Sequence, residues 1–355
     1  MQIIVTFANK FSTDLTSKMK KLFRLLLLLM LPGLFVSCET DFDVIADYKE
    51  VAIVYGLLNQ HDSVHYLRIN KAFLGDGNAL SYAQVADSSS FGADIRVILI
   101  ESTPGGIKKE IVFDTVTLFN KQPGDFYSPG QLFYASSAAL DENNFYELKI
   151  TGKNTSYEVT SKTSLIHNFN ITKPSSGAKT INFKRSFTQQ MKFAWQNAVN
   201  GKRYQFKLIF NYKELNLAGD STHRKIEWIF PEQTTESTNG TGESDVTYTN
   251  EDFFKLCESK IPYSDPVTEA AVIKRFASAC DIEITVIGDE FNTYLDANGP
   301  STGLLMEKPS YSNITNGLGL FSSRYQIKRV PSISLSPETI FDLNQTTNLK
   351  FAKPN

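Results

Sequence analysis

The chain has 355 residues, with 36 Lys and Arg against 38 Asp and Glu, for a formal net charge of -2. That balance leaves no electrostatic case for nucleic-acid binding, and 41% hydrophobic with 12% aromatic residues excludes a chain too polar to fold. The length suits two domains at ~100–200 residues each, and the abundance of Phe (26) and Tyr (15) favours strands over helices.

Residues 1–18 are polar and unlike the apolar stretch beyond them. A second methionine, Met19, opens a secretory signal: Lys20, Lys21 and Arg24, an uncharged run from Leu25 to Leu31, then Pro32-Gly33 and Leu34-Phe35-Val36-Ser37-Cys38. Residues 1–37 therefore read as an over-extended start plus a signal peptide. The apolar run is too short to cross a hydrocarbon core of ~30 Å. The small residue before Cys38 resembles a bacterial lipobox, which implies cleavage before Cys38 and lipid on its sulfur. Phe35 departs from the commoner leucine but keeps the apolar character. More than one acyl chain is needed for a durable anchor. Glu39, Asp41 and Asp43 follow in an acidic tether over 38–47. They are similar to the surface-export signal of Bacteroidota lipoproteins, and they read equally well as a solvated spacer.

From Tyr48 strand-like runs alternate with turns. Val51–Leu57 is β-rich, Asn59–Asp62 is a turn, and Val64, Tyr66 and Arg68 share one face of a strand whose other face carries His65, Leu67 and Ile69. Gly75–Asn78 is a loop. Strands follow at Ile95–Ile100, Ile107–Asp114 and Val116–Phe119. A hairpin joins Phe145–Thr151 to Tyr157–Thr163 around Gly152-Lys153-Asn154. Pro174-Ser175-Ser176-Gly177 reads as a linker. Beyond it come strands at Met191–Trp195 and Tyr204–Tyr212, separated by a turn at Asn197–Gly201. This Trp-strand and Tyr-led strand resemble the early hairpin of a fibronectin-type-III module, an analogy of fold only.

Gln233–Ser244 is rich in Thr, Ser, Gly and Glu and is expected to be a mobile loop. The period then changes. Asn250 caps a predicted helix that buries Phe253, Phe254, Leu256 and Cys257. A second helix opens at Asp265 with Pro266 in its first turn and runs to about Ala277, burying Val267, Ala270, Ala271 and Phe276. Ile282–Ile287 is a strand and Asp289–Leu295 a short helix. The expectation is a mostly β protein of two β-sandwich domains, Ig- or fibronectin-III-like. The first spans 48–170 and the second 171–355, with a helical insertion at about 250–297.

Motifs for chemistry are sparse. Gly317-Leu318-Gly319 lacks the third glycine of a dinucleotide loop, and the glycines read as turn and close-approach residues. His61, His65, His167 and His223 have no metal-ligand spacing and read as surface residues. Asp296–Gly299 lacks the closing Glu of a calcium loop. No nucleophile elbow or phosphate loop occurs. No cofactor or metal is expected, and no catalytic residue is assigned. With Cys38 taken by lipid, Cys257 and Cys280 are left as an even pair: either a disulfide, permitted in an oxidising compartment, or two buried thiols. Asp62-Ser63-Val64, Asp114-Thr115-Val116 and Asp220-Ser221-Thr222 are similar to the O-glycosylation tripeptide of exported Bacteroidota proteins.

The run Tyr311-Ser312-Asn313-Ile314-Thr315-Asn316-Gly317-Leu318-Gly319-Leu320-Phe321-Ser322-Ser323 is distinctive. So is Phe73–Ala79 followed by Asp87-Ser88. With the lipobox they resemble a family of Bacteroidota outer-membrane lipoproteins of unknown function. The resemblance implies an outer-membrane, lipid-anchored, cell-surface address and two β-rich domains, and it transfers no site. The expectation is thus a non-enzymatic binding or accessory protein for a nutrient, a surface glycan or a partner protein. A TonB-dependent outer-membrane transporter is the candidate partner. The alternatives are an extracellular hydrolase whose site no motif reveals, or a structural envelope component.

Overall fold

The computed structural model describes residues 51–72, 79–119, 121–125, 127, 130–153, 156–299 and 311–353. Cys38, Glu39, Asp41 and Asp43, the signal segment and the loop at 75–78 lie outside the described residues. Residues Glu50–Asn355 form one compact unit.

The first strands are β1 (Ala52–Leu58) and β2 (His65–Lys71), followed by short helices α1 (Ala79–Ala83) and α2 (Ala86–Ser89). Then come β3 (Ile95–Ser102), β4 (Lys108–Leu118), β5 (Gln131–Ser136), β6 (Phe145–Gly152) and β7 (Glu158–Ser164). The second half opens with β8 (Ile171–Lys173), β9 (Thr180–Ile181), β10 (Gln190–Gln196), β11 (Arg203–Asn216), β12 (Ser221–Ile229), β13 (Gln233–Thr234) and β14 (Glu243–Thr249). It ends with α3 (Asn250–Lys260), α4 (Pro266–Ala271), β15 (Val272–Ile287), α5 (Asp289–Asn298), β16 (Gly317–Lys328), β17 (Ile333–Leu335) and α6 (Pro337–Thr346).

The chain is mostly β, 48% strand against 16% helix. Its strands form one large mixed sheet, ordered β12-β11-β15-β16-β1-β2-β5-β4-β3-β6-β7 along its main path, and a small sheet β14-β10-β8. No pair of separate sandwich domains is seen. β4 pairs β3 through Lys108–Phe113 and β5 through Asp114–Leu118, so one long strand carries the sheet around a corner. The curl closes where Thr160 and Thr315 pair main chain to main chain.

Alternation sets which face is buried. In β1, Ala52, Val54 and Leu58 point inward, and in β2, His65, Leu67 and Ile69 do. Most buried apolar residues up to Leu165 belong to one core cluster, joined by Ile314 and Phe321. From Ile166 onward they belong to another, built on Phe193, Trp195, Phe206, Phe210 and Phe253. Aromatic rings dominate this second core: Phe183 stacks on Phe253 at 4.2 Å, and Phe193 on Phe206 at 4.6 Å. Such pairs contribute ~0.5–1.5 kcal/mol each beyond their buried area.

β16 joins the two cores. Its first half pairs β1 in parallel, Gly317 to Ser323 against Ala52 to Leu58, and its second half pairs β15, Arg324 to Lys328 against Ile287 to Glu283. Gly319 sits at φ +116°, and a Cβ there would lie 2.0 Å from the Val54 carbonyl oxygen. The glycines of the Gly-Leu-Gly run thus serve close backbone approach inside a strand and form no turn.

The segment expected to be a helical insertion contains the sixteen-residue strand β15. α4 stops at Ala271 and buries none of its residues, with Val267 77% exposed, because Val272 onward pairs with β11. α3 does bury Phe253, Phe254 and Cys257, but its cap is Thr249, whose backbone N–H donates to Asp252 at 2.8 Å. Asn250 lies inside the helix. α6 has no counterpart among the predicted helices, although Ser336-Pro337 is a cap-and-first-turn signature, and Ser336 accepts from the Thr339 N–H at 3.2 Å.

Gln233–Ser244 is zipped to the 197–201 turn and is no free loop. The Thr235 N–H donates to the Lys202 carbonyl at 2.9 Å, the Asn200 N–H to Thr238 at 2.7 Å and the Asn197 N–H to Gly242 at 3.1 Å. These bonds are main chain to main chain, so most polar side chains of the segment are left to face solvent.

Candidate functional site

A cleft of about 930 Å³ opens on the surface of the described residues. Its walls are the β1–β2 turn, the chain from Asn168 to Lys179, and the end of β16 with the segment to Ser334. These three separated stretches of sequence meet there because β16 runs across both halves of the sheet.

The Asn59–Asp62 turn is fixed by its own side chains: Asn59 Nδ2 donates to Asp62 at 2.8 Å, and the His61 N–H reaches Asn59 Oδ1 at 3.2 Å. This places the His61 ring against Tyr325, centroids 5.3 Å apart, with His61 Nε2 3.1 Å from the Tyr325 hydroxyl. That hydroxyl donates to Asn168 Oδ1 at 3.1 Å. A phenol has one proton to give, so the His61 Nε2–H is the donor in the other contact. Asn168 is held from behind, its backbone N–H donating to Glu142 at 3.0 Å, while the same carboxylate accepts from Gln60 at 2.9 Å. Burial, with Glu142 nearby, raises the Tyr325 pKa, so the hydroxyl stays neutral.

The opposite wall is the Pro174–Gly177 turn. Arg329 ties it down, donating to the Pro174 carbonyl at 3.1 Å, to Ser176 at 3.4 Å and to Ala178 at 2.5 Å. Burial lowers the Arg329 pKa from its ordinary value. The segment expected to link two domains is thus a pinned turn. Ile166 and Phe169, which precede it, already belong to the second core.

A second surface lies on the outer face of the sheet. Tyr55, Tyr66, Arg68 and Phe133 come together there because β2 is flanked by β1 and β5. Tyr66 packs edge-on to Phe133 at 6.2 Å and Tyr55 edge-on to Tyr294 of α5 at 6.3 Å. Tyr55 is 39% and Tyr66 43% exposed. The alternation of β2 reveals this face in the sequence, but its neighbours come from distant segments.

Of the four histidines, His61 lines the cleft, and His65 is buried, with Nε2 3.0 Å from the Ala138 carbonyl oxygen. The expectation of a surface position fails for His65 because it sits on the inward face of β2. Cys257 and Cys280 are free thiols buried in the second core. Burial pushes both well above the usual thiol range. Among the described residues no cluster of His, Cys, Asp or Glu is arranged to hold a metal ion, and no helix is long and apolar enough to cross a membrane. Sequence reasoning missed Asn168, Lys179, Tyr325 and Arg329. For Asn168 and Lys179 the signal available was the polar density of the 168–179 stretch, and for Tyr325 and Arg329 there was none.

No family model matches the chain, and no curated protein matches it.

Proposed function

We propose that this chain is a lipid-anchored protein of the outer membrane, displayed at the cell surface, that binds a ligand as a non-enzymatic accessory protein. The single observation that carries the binding role is the cleft. It is a large concavity between two cores, and its His61, Tyr325 and Asn168 side chains hold one another in place. Such preorganised polar groups among apolar walls are how small-ligand sites fix orientation. The exposed tyrosines of the outer sheet face add a surface suited to a sugar ring or a partner.

The address rests on the Met19–Cys38 signal and the acidic residues Glu39, Asp41 and Asp43. The Tyr311–Ser323 run supports membership of the Bacteroidota lipoprotein family it resembles. The structural role of that run is compatible with this: Asn313 brackets Phe321, its Nδ2 donating to the Phe321 carbonyl at 2.6 Å and its Oδ1 accepting the Phe321 N–H at 2.9 Å. The finer architecture belongs to the same proposal: two layered β halves dividing near residue 170. The change of core between Leu165 and Ile166 supports it. An accessory role beside a TonB-dependent transporter follows from the address.

Cells fed labelled palmitate test the anchor. Label should enter the wild-type chain and be lost in Cys38→Ala, and equal labelling of both would overturn it. Binding is tested by calorimetry of the full chain against neutral and acidic oligosaccharides. Tyr325→Ala, which removes the centre of the polar chain, should weaken any binding at the cleft, whereas Tyr66→Ala should not.

A further inference from the structure

The charged groups lining the cleft are Lys179, Lys328 and Arg329, with no Asp or Glu among them. In a chain whose acids slightly outnumber its bases, a large concavity lined by one sign of charge is not the background. Low-dielectric walls focus the field of such a site on an incoming ion.

Arg329 is the centre of this imbalance. A guanidinium has five N–H donors. Three contacts go to the carbonyl oxygens of Pro174, Ser176 and Ala178 through Nη1 and Nη2. The Nε–H and one Nη1–H are left. Among the described residues no carboxylate lies within ion-pair distance of Arg329, whereas Arg185, Arg203, Arg224 and Arg275 each have at least one. Carbonyl dipoles orient the group but bring no counter-charge. Lys328 lies 3.2 Å from Glu283, a carboxylate it shares with Lys207. Lys179 is exposed, and no described carboxylate lies within ion-pair distance of it.

The rest of the lining suits hydroxyl-bearing molecules. The Asn168 amide nitrogen is not used by the His61–Tyr325 chain, and Asn168 and Asn170 are both exposed, whereas the Phe169 and Tyr325 rings are buried behind them. Exposed amide groups can both donate to and accept from the hydroxyls of a sugar.

We propose that the cleft binds a small acidic saccharide, carrying a carboxylate or sulfate, with Arg329 and Lys179 on the oxyanion and the asparagine amides on the hydroxyls. This rests on the reading of the cleft as a binding site and names its ligand class.

The test is calorimetry of the full lipidated chain in detergent against trigalacturonate, galactose 6-sulfate, inorganic phosphate and neutral maltotriose. At least one acidic sugar should bind better than maltotriose and phosphate, with affinity that falls as salt rises. Lys179→Glu should cost about tenfold or more in that affinity. Arg329→Gln should abolish it. Because Arg329 also holds the 174–178 turn, its loss could act through folding. The exposed Lys179 variant keeps the test decisive, provided its melting temperature matches wild type. Maltotriose binding as tightly as the acidic sugars, or a Lys179→Glu variant with unchanged affinity, would overturn the anion preference and leave the binding role standing. Phosphate binding as tightly as the sugars would overturn the saccharide. No heat with any of the four would overturn this inference, while palmitate labelling judges the anchor separately.

Discussion

Arg275 has no exposed surface, yet four of its five guanidinium N–H groups find acceptors. It reaches Glu214 at 2.9 Å, both oxygens of Glu269 at 3.0 and 2.7 Å, and the Leu349 carbonyl at 3.0 Å. Burial opposes the charge, but the two carboxylates outweigh it and raise the Arg275 pKa. Removing one partner of a buried ionic knot leaves uncompensated charge, at a cost of ~3–5 kcal/mol. Arg275→Leu should lower stability by that amount in urea titrations, and a change below ~1 kcal/mol would mean that the knot is already solvated. The same knot sets an acid limit. Hydrogen bonds from Arg275 hold the Glu269 carboxyl below its ordinary 4.5, and Arg185 does the same for Glu251. A depressed carboxyl means that the unfolded chain binds protons more readily. The stability they confer is therefore complete above about 4.5 and is lost as pH falls through their lowered values. Urea midpoints between about pH 7 and 3 should show that fall in the wild type and a shallower one in Arg275→Leu. The buried thiols form a third case. Thiolate is the reactive species, so Cys257 and Cys280 should resist iodoacetamide in the native protein. Both should label after unfolding without reductant, and continued protection of the pair would reveal a bridge.

Among the elements, β16 carries the most consequence. Gly319 is required where it is because its φ of +116° suits only glycine and because Val54 leaves no room for a Cβ. Gly319→Ala must displace β1 from β16, and strain of this kind costs ~1–3 kcal/mol before any lost pairing. Its melting temperature should fall well below that of Leu318→Ala, whose exposed side chain points away from the core, and equal effects would refute the steric account. Elements whose signals are local were legible in the sequence. The Asp265-Pro266 start was read as it stands, and α3 was found with its cap placed one residue late, at Asn250, although the Thr249-to-Asp252 capping box is itself local. Where α4 ends was not legible. Val272–Phe276 has no stop signal of its own and becomes strand because β11 offers a pairing edge, a case of tertiary context overriding propensity. The polar 233–244 stretch is ordered for the same reason, its backbone partners lying in the distant 197–201 turn, where no local pattern points to them.

At the scale of the molecule, the two cores share one sheet through β16, so neither half has an intact sheet without the other. Chemical unfolding of the full chain should therefore give a single transition by tryptophan fluorescence, from Trp195 and Trp228, and by far-ultraviolet circular dichroism. Two separated transitions would show that the halves fold independently and that β16 is a passive connector.

The sequence by itself determined the mostly β character, because period-two alternation of apolar residues is local and survives any arrangement of strands. It also determined the capped start of α4 at Asp265-Pro266 and placed the start of α3 to within one residue, because both signals are written in a short continuous stretch. Only the tertiary structure decided that the strands form one large sheet, since strand partners are set by burial and register across long separations. The same holds for the cleft. His61, Asn168, Lys179, Tyr325 and Arg329 come from three distant segments, and none carries a motif. Their common position arises because a single strand crosses both cores and brings its end beside a turn that the arginine just past it pins.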